Sequence, residues 1–189
     1  MISIINTSFK DVKIISPNIH VDSRGYFFES YNHLQFKEKI GDINFIQDNE
    51  SKSNQIGVLR GLHYQISPYQ QGKLVRCSRG AIFDAAVDIR KDSPTYGQWK
   101  GYEMTEENGH QLYVPVGFAH GFVTLEQNSE IVYKCSDYYA PETEGSVLWS
   151  DPDVGIDWPL TGEPILSEKD QRAPLLKDFD SPFVFGVNS

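Results

Sequence analysis

From Phe45 to Cys135 the chain is a series of short segments in which apolar and polar positions alternate at period two, separated by clusters of Gly, Pro, Asn and Asp. In Ala81 to Arg90 the apolar set Phe83, Ala85, Val87 and Ile89 opposes Asp84 and Asp88. In His120 to Leu125, Val123 and Leu125 oppose His120 and Thr124, and in Glu130 to Cys135, Tyr133 shares a face with Ile131 and Cys135. Closely spaced strands of this kind predict an all-β sandwich or barrel. Upstream, Val12 to Ile15 reads as a short strand and Asp22 to Gly25 as a turn. Only His33 to Ile40 has a helical period: Asn32 is its cap, and Leu34, Phe36 or Lys37, and Ile40 form a narrow apolar stripe, so the helix is short and peripheral.

One stretch breaks the apolar rule. Gly57 to Gln65, GVLRGLHYQ, sets an arginine and a histidine in a strand-like segment, where they cost free energy unless a site uses them. At period two, Arg60 and His63 fall on opposite faces, so both reach one pocket only if the strand is irregular, and Gly61 is the place for a bulge. The polar faces of the other strands fit the same picture. An interior holding His63, Lys73, Asp84, His120 and Tyr133 is expensive as a core and reasonable as the mouth of a ligand-holding barrel.

With 189 residues, 39% hydrophobic and 13% aromatic, the chain suffices for one well-cored domain over 1–189. No apolar run reaches the length of a membrane span, and Met1 to Phe9 lacks the features of a signal peptide, so a cytosolic protein is expected, with no membrane partner. Cys77 and Cys135, far apart and in no metal-ligand spacing, read as small strand residues rather than a disulfide. A formal net charge of -9 excludes wholesale binding of nucleic acid but leaves room for an anionic small molecule held by single cations such as Arg24, Arg60, Lys73 and Lys169.

Gly109 to His120, GHQLYVPVGFAH, has the spacing of the second cupin motif, and Gly57 to His63 opens like the first. The second histidine of that first motif is replaced by Gln65, and no glutamate follows at the expected distance. His63 and His120 with amides are a poor donor set for a divalent transition ion, so no metal is expected.

Taken in order, Asp22-Ser-Arg-Gly-Tyr-Phe, Gln47-Asp-Asn-Glu-Ser, GVLRGLHYQ, Lys73-Leu-Val, Val87-Asp-Ile-Arg, Ser93-Pro-Thr, PVGFAHGF, Tyr133-Lys, Tyr138-Tyr139-Ala-Pro, Asp157-Trp-Pro and Leu166-Ser-Glu-Lys-Asp170 closely resemble the dTDP-4-dehydrorhamnose 3,5-epimerase family. The resemblance runs from about Val12 to Asp170 and leaves the stretch after Leu175 unread. It implies a metal-free and cofactor-free cupin jelly roll (a double-stranded β-helix) with a short peripheral helix. It also implies a homodimer that exchanges N-terminal strands, and a dTDP-linked 4-keto-6-deoxy sugar as substrate.

By the same resemblance His63 is the base that removes protons next to the C4 carbonyl, Asp170 is its partner, Lys73 faces the C4 oxyanion, and Tyr133 is the acid on the far face. Substrate contacts fall to Gln47, Asn49, Arg60, His120, Glu144, Lys169 and the stacking ring of Tyr139, with Arg24 and Glu29 supplied by the other subunit. His120 either contacts the sugar, with Asp84 behind it, or only holds the lumen together. A single-centre epimerase of another 4-keto nucleotide sugar and a sugar-binding cupin without turnover share these residues.

Overall fold

The computed structural model describes residues 2–186. Its strands in chain order are β1 (Ser3–Ile5), β2 (Lys13–Ser16), β3 (His20–Asp22), β4 (Gly25–Phe27), β5 (Gln47–Ser53), β6 (Leu59–Gln65), β7 (Lys73–Arg79), β8 (Ala81–Asp88), β9 (Trp99–Thr105), β10 (Gln111–Val114), β11 (Phe118–Thr124), β12 (Ser129–Cys135) and β13 (Glu144–Ser146). The helices are α1 (His33–Lys39) and α2 (Glu168–Gln171). One antiparallel sheet runs β1-β2-β10-β7-β12-β5, the other β13-β6-β11-β8-β9, and β3 and β4 form a separate two-stranded sheet. From β5 onward the chain crosses from sheet to sheet at every connection but that of β8 to β9. This is the expected cupin jelly roll. Among the described residues no helix is long and apolar enough to cross a membrane.

The alternation along the strands builds three apolar clusters. Between the sheets, Val75, Cys77 and Ile131 meet Ile82, Ala86, Phe118 and Phe122. Outside the five-stranded sheet, Leu59, Leu62, Tyr64, Val87 and Val123 pack under Val147, Val154, Trp158, Leu176 and Phe183. Outside the six-stranded sheet, Phe36 of α1 covers Ile15, Leu74 and Tyr113. A fully buried side chain of this size contributes about 1.5–3 kcal/mol, so Leu176 and Phe183, from the stretch that the sequence leaves unread, belong to the core. Asp88, on the lumen-side register of β8, is consumed structurally: Arg90 holds it through Nε at 2.9 Å and Nη2 at 2.7 Å, with Ser93 and Thr95 donating to it as well.

Asn32 caps α1 as expected, its side chain accepting from the amides of Leu34 and Gln35. The apolar stripe is narrower than the sequence suggests. Leu34 is 76% exposed, and Phe36 alone is buried, because the helix touches the sheet along a single turn. A second helix, the four-residue α2, lies where the sequence shows no helical period. Ser167 caps it, accepting from the Asp170 amide at 3.1 Å.

The irregularity expected in β6 is present. His120 pairs with His63 while Phe122 pairs with Arg60, so β6 carries an extra residue opposite β11. Gly61 has φ +135°, and a Cβ there would stand 2.5 Å from Gly121 Cα and 2.9 Å from the His120 carbonyl oxygen. Only glycine fits. The shift leaves Leu59, Leu62 and Tyr64 in the outer cluster and turns both Arg60 and His63 into the lumen.

Candidate active site

Arg60, His63, Lys73, His120, Tyr133 and Asp170 line one cavity of about 420 Å³ between the two sheets. A second cavity of about 450 Å³, with Gln47, Asn49, Tyr139 and Glu144 in its wall, shares His63, Lys73 and Tyr133 with the first. The two are therefore one lumen with a deep end and an outer end. His63 and His120 stand on neighbouring strands of the five-stranded sheet, in direct register. Lys73 and Tyr133 stand on β7 and β12 of the opposing sheet. A ligand in the lumen thus has imidazoles on one face and an ammonium and a phenol on the other.

His63 Nε2 lies 2.6 Å from Asp170 Oδ1. Asp170 is 3% exposed, and its second oxygen accepts from the Ser167 hydroxyl at 2.9 Å. Burial pushes the Asp170 carboxyl up, but the hydrogen bond and charge of His63, the Ser167 hydroxyl and the charge of Lys169 outweigh it and hold the group below the usual carboxylate range. With Nε2 engaged, Nδ1 is the ring nitrogen left to take a proton. Reading the residues individually assigned Ser167 no role. The signal was present in Ser167-Glu-Lys-Asp170, a serine followed three residues on by an acid, which is the spacing of a capping box.

Behind His120 stands a second carboxylate, Asp84 Oδ1, again 2.6 Å from Nε2. Burial pushes the Tyr133 hydroxyl up; Cys135, Glu144 and Tyr139 add to this and Arg60 opposes it, so the phenol is a neutral donor at physiological pH. Burial pushes the Lys73 ammonium down, opposed by Cys135, Glu144 and Asp84 and reinforced by Lys169.

At the outer end Glu144 joins two binding candidates, accepting from Tyr139 Oη at 2.9 Å and pairing with Lys169. Gln47 accepts from the Tyr139 amide at 2.9 Å and donates to Asn49 at 3.0 Å. Tyr139 itself is 53% exposed, a free ring face at the lumen mouth. Gln65, where a metal cupin carries a histidine, spends its amide on the backbone: it donates to the carbonyls of Tyr69 and Tyr138 and accepts from the Ala140 amide. Its side chain has nothing left for an ion, and among the described residues no three His, Cys, Asp or Glu side chains are placed to hold one.

Arg24 and Glu29 are not brought to this lumen by their own chain. Arg24 is paired with Asp22 at the tip of the β3–β4 hairpin, and Glu29 accepts from Asn32 and Gln35 beside α1. Val21, Tyr26 and Phe27 of that hairpin are 78%, 59% and 70% exposed.

A family model described as dTDP-4-dehydrorhamnose 3,5-epimerase matches residues 6–178. The chain is 54% identical over 177 residues to the dTDP-4-dehydrorhamnose 3,5-epimerase of Salmonella typhimurium, covering 93% of this chain and 96% of the relative. It is similar in structure to the dTDP-6-deoxy-D-glucose-3,5-epimerase of Legionella pneumophila in complex with dTDP-4-keto-L-rhamnose, with a TM-score of 0.92, 50% identity and 95% of each chain covered. The dTDP-4-dehydrorhamnose 3,5-epimerase of Bacillus anthracis with TDP and PPi bound superimposes with a TM-score of 0.89 at 45% identity, over 93% of this chain and 99% of that one.

Proposed function

Since the chain belongs to the dTDP-4-dehydrorhamnose 3,5-epimerase family, we propose that this isomerase inverts C3 and C5 of dTDP-4-dehydro-6-deoxy-D-glucose to give dTDP-4-dehydro-L-rhamnose. The observation that carries the reading is the division of the lumen: a histidine with a buried carboxylate behind it on one sheet, a neutral phenol and an ammonium on the other. Protons at C3 and C5 are acidic because the C4 carbonyl takes up the electron pair as an enolate. His63 Nδ1 accepts the proton, and Asp170, fixed by Ser167, stabilises the imidazolium through Nε2–H. Lys73 balances the negative charge on the C4 oxygen. Tyr133 returns a proton to the opposite face of the carbon, and solvent restores both groups. No step calls for a metal or other cofactor.

The outer end of the lumen suits the nucleotide. Tyr139 offers a stacking face for the base, Arg60 and Lys169 offer charge to the diphosphate, and Gln47, Asn49 and Glu144 offer polar contacts. His120 contacts the sugar. Arg24 and Glu29 enter from a second copy: β1 and β2 are paired within their own sheet, which leaves the β3–β4 hairpin, with Val21, Tyr26 and Phe27 exposed, as the segment to exchange. The described residues form one cupin domain, residues 1 and 187–189 of the expected 1–189 lying outside them, and it works as a cytoplasmic homodimer with no nucleic-acid partner.

Incubation with dTDP-4-keto-6-deoxyglucose in deuterated water, followed by NMR, tests this directly. Deuterium at C3 and C5 with inversion at both is the expected result. Inversion at one carbon alone overturns the double epimerisation, and the absence of any exchange overturns the enzyme reading.

A further inference from the structure

Ile165, Leu166, Ser167, Lys169 and Asp170 of the lumen wall come from one crossing segment that includes α2. The segment is fastened at its two ends. At the near end Ile165 donates to the Gly57 carbonyl at 2.8 Å and accepts from the Leu59 amide at 3.0 Å, at the start of β6. At the far end the Pro174 carbonyl accepts from the Leu148 amide at 2.8 Å, and the Leu176 amide donates to Asp151 Oδ2 at 2.6 Å. Between these anchors, 166–173 makes backbone hydrogen bonds only within itself among the described residues. The near anchor is backbone to backbone, whereas the far one depends on a side chain. Asp151 is 2% exposed, and its Oδ1 accepts from the amides of Asp153 at 2.8 Å and Val154 at 3.3 Å, closing the turn that Asp151 itself begins. One oxygen is enough for that local task, and asparagine performs it as well. The second oxygen reaches 25 residues along the chain to Leu176.

We propose that Asp151 is a positioning residue for the His63–Asp170 pair: through the Leu176 amide it fixes where α2 stands against β6, and so how the Asp170 carboxylate meets His63 Nε2. The stretch leading into Asp151 is already tied to the strand of the histidine, because Val147 and Leu62 exchange backbone hydrogen bonds at 2.9 and 3.2 Å next to His63. One buried carboxylate therefore links the two parts of the chain that carry His63 and Asp170. A buried backbone N–H needs an acceptor, and a charged one holds it at shorter range than a neutral one. Asp151 is outside the lining of both lumen cavities, so it acts through the backbone and not on a ligand. The inference rests on the reading of His63 as the base.

Asp151→Asn keeps one acceptor oxygen. With that oxygen on the two local amides, the new NH2 faces the Leu176 amide, donor against donor, and the far anchor opens. Leu176→Pro removes the same bond from the other side, at the first residue of a 3₁₀ turn, Leu176–Asp178, where Leu175 already has the ψ of 153° that suits a residue before proline. In each folded variant kcat should fall by about ten- to a hundredfold, the cost of a misplaced catalytic group. The Kd for TDP should change little, because the long Lys169 side chain absorbs a shift that a 2.6 Å hydrogen bond cannot. If both changes act through one bond, the double variant loses no more kcat than the worse single one. Nitrogen NMR of the His63 ring in ligand-free protein labelled with 15N-histidine reads the same event without turnover: Nε2 holds the proton in the wild type, and the variants show a mixture of tautomers. That reading stands whether or not the protein epimerises its substrate, so a failure of this inference is separated from a failure of the epimerase reading. A wild-type tautomer and kcat in folded Asp151→Asn overturn the proposal, as do additive losses in the double variant or a loss of TDP affinity as large as the loss of kcat. If Asp151→Asn does not fold, Leu176→Pro decides by the same readings.

Discussion

Tyr133 and His63 face the lumen from different sheets, and that separation makes their losses distinguishable. In Tyr133→Phe the base is intact, the enolate forms, and His63 returns a solvent-derived proton to the face it came from. Deuterium should enter recovered substrate without inversion, with product formation slowed by a factor of about 10² to 10⁴, the usual worth of a general acid. Equal rates of exchange and inversion in NMR of the recovered sugar remove Tyr133 as the donor. Asp170 carries a second prediction at this scale. Its carboxyl is held below the ordinary range in the fold, so it favours the native state above the unfolded value of about 3.9, and that contribution is lost as pH falls through the folded value. Asp170→Asn should slow turnover and also flatten the acid side of a plot of melting temperature against pH. An acid side as steep as that of the wild type contradicts the assignment.

At the scale of elements, β6 decides whether there is a site. Its extra residue opposite β11 turns Arg60 inward with His63, and the turn is possible because Gly61 lies against Gly121. Gly61→Ala places a methyl group 2.5 Å from the Gly121 Cα, with backbone on both sides and no flexible side chain to give way. The expected outcome is a loss of about 1–3 kcal/mol or more in denaturant unfolding, since overpacking and a strained positive φ add. Activity should fall further than stability, because a relieved bulge swings Arg60 out of the lumen. A variant with wild-type stability and activity shows that the close approach is not required. The short α2 is the other decisive element. It holds Asp170 and Lys169 on successive residues, so one turn, capped by Ser167, reaches both His63 and the outer end of the lumen.

At the scale of the whole molecule, the proposed site calls on Arg24 and Glu29, which their own chain holds outside the lumen. Arg24 and Glu29 lie on or just after a hairpin with exposed Val21, Tyr26 and Phe27 that, among the described residues, pairs with no other strand. If the hairpin enters a second copy, each site combines His63 of one chain with Arg24 of the other. Arg24→Ala and His63→Ala, each inactive or impaired, should then regain turnover when unfolded together and refolded as a mixture, because one of the two sites in the mixed dimer holds both native residues. An activity assay showing no gain over the separate variants places Arg24 in the site of its own chain or in none.

What the sequence determined by itself was local. Period-two alternation, the Asn32 cap and the glycine-proline punctuation depend on residues a few positions apart, and they mark the strands, α1 and the polar faces of the lumen. The need for an irregular strand at Gly61 was legible too, because Arg60 and His63 cannot share a face at period two. The partners of the two histidines were a different matter. Asp170 is 107 residues from His63 and Asp84 is 36 from His120. A family resemblance joined the first pair, but only the registers of β6, β8 and β11 with the docking of α2 give the contacts and their lengths. The burial of Leu176 and Phe183, the exposure of Leu34 and the lack of a partner for Asp84 Oδ2 among the described residues were decided by what the fold lays over each residue. No local pattern carries that information, because solvent access is a property of the packed chain and not of its neighbours in sequence.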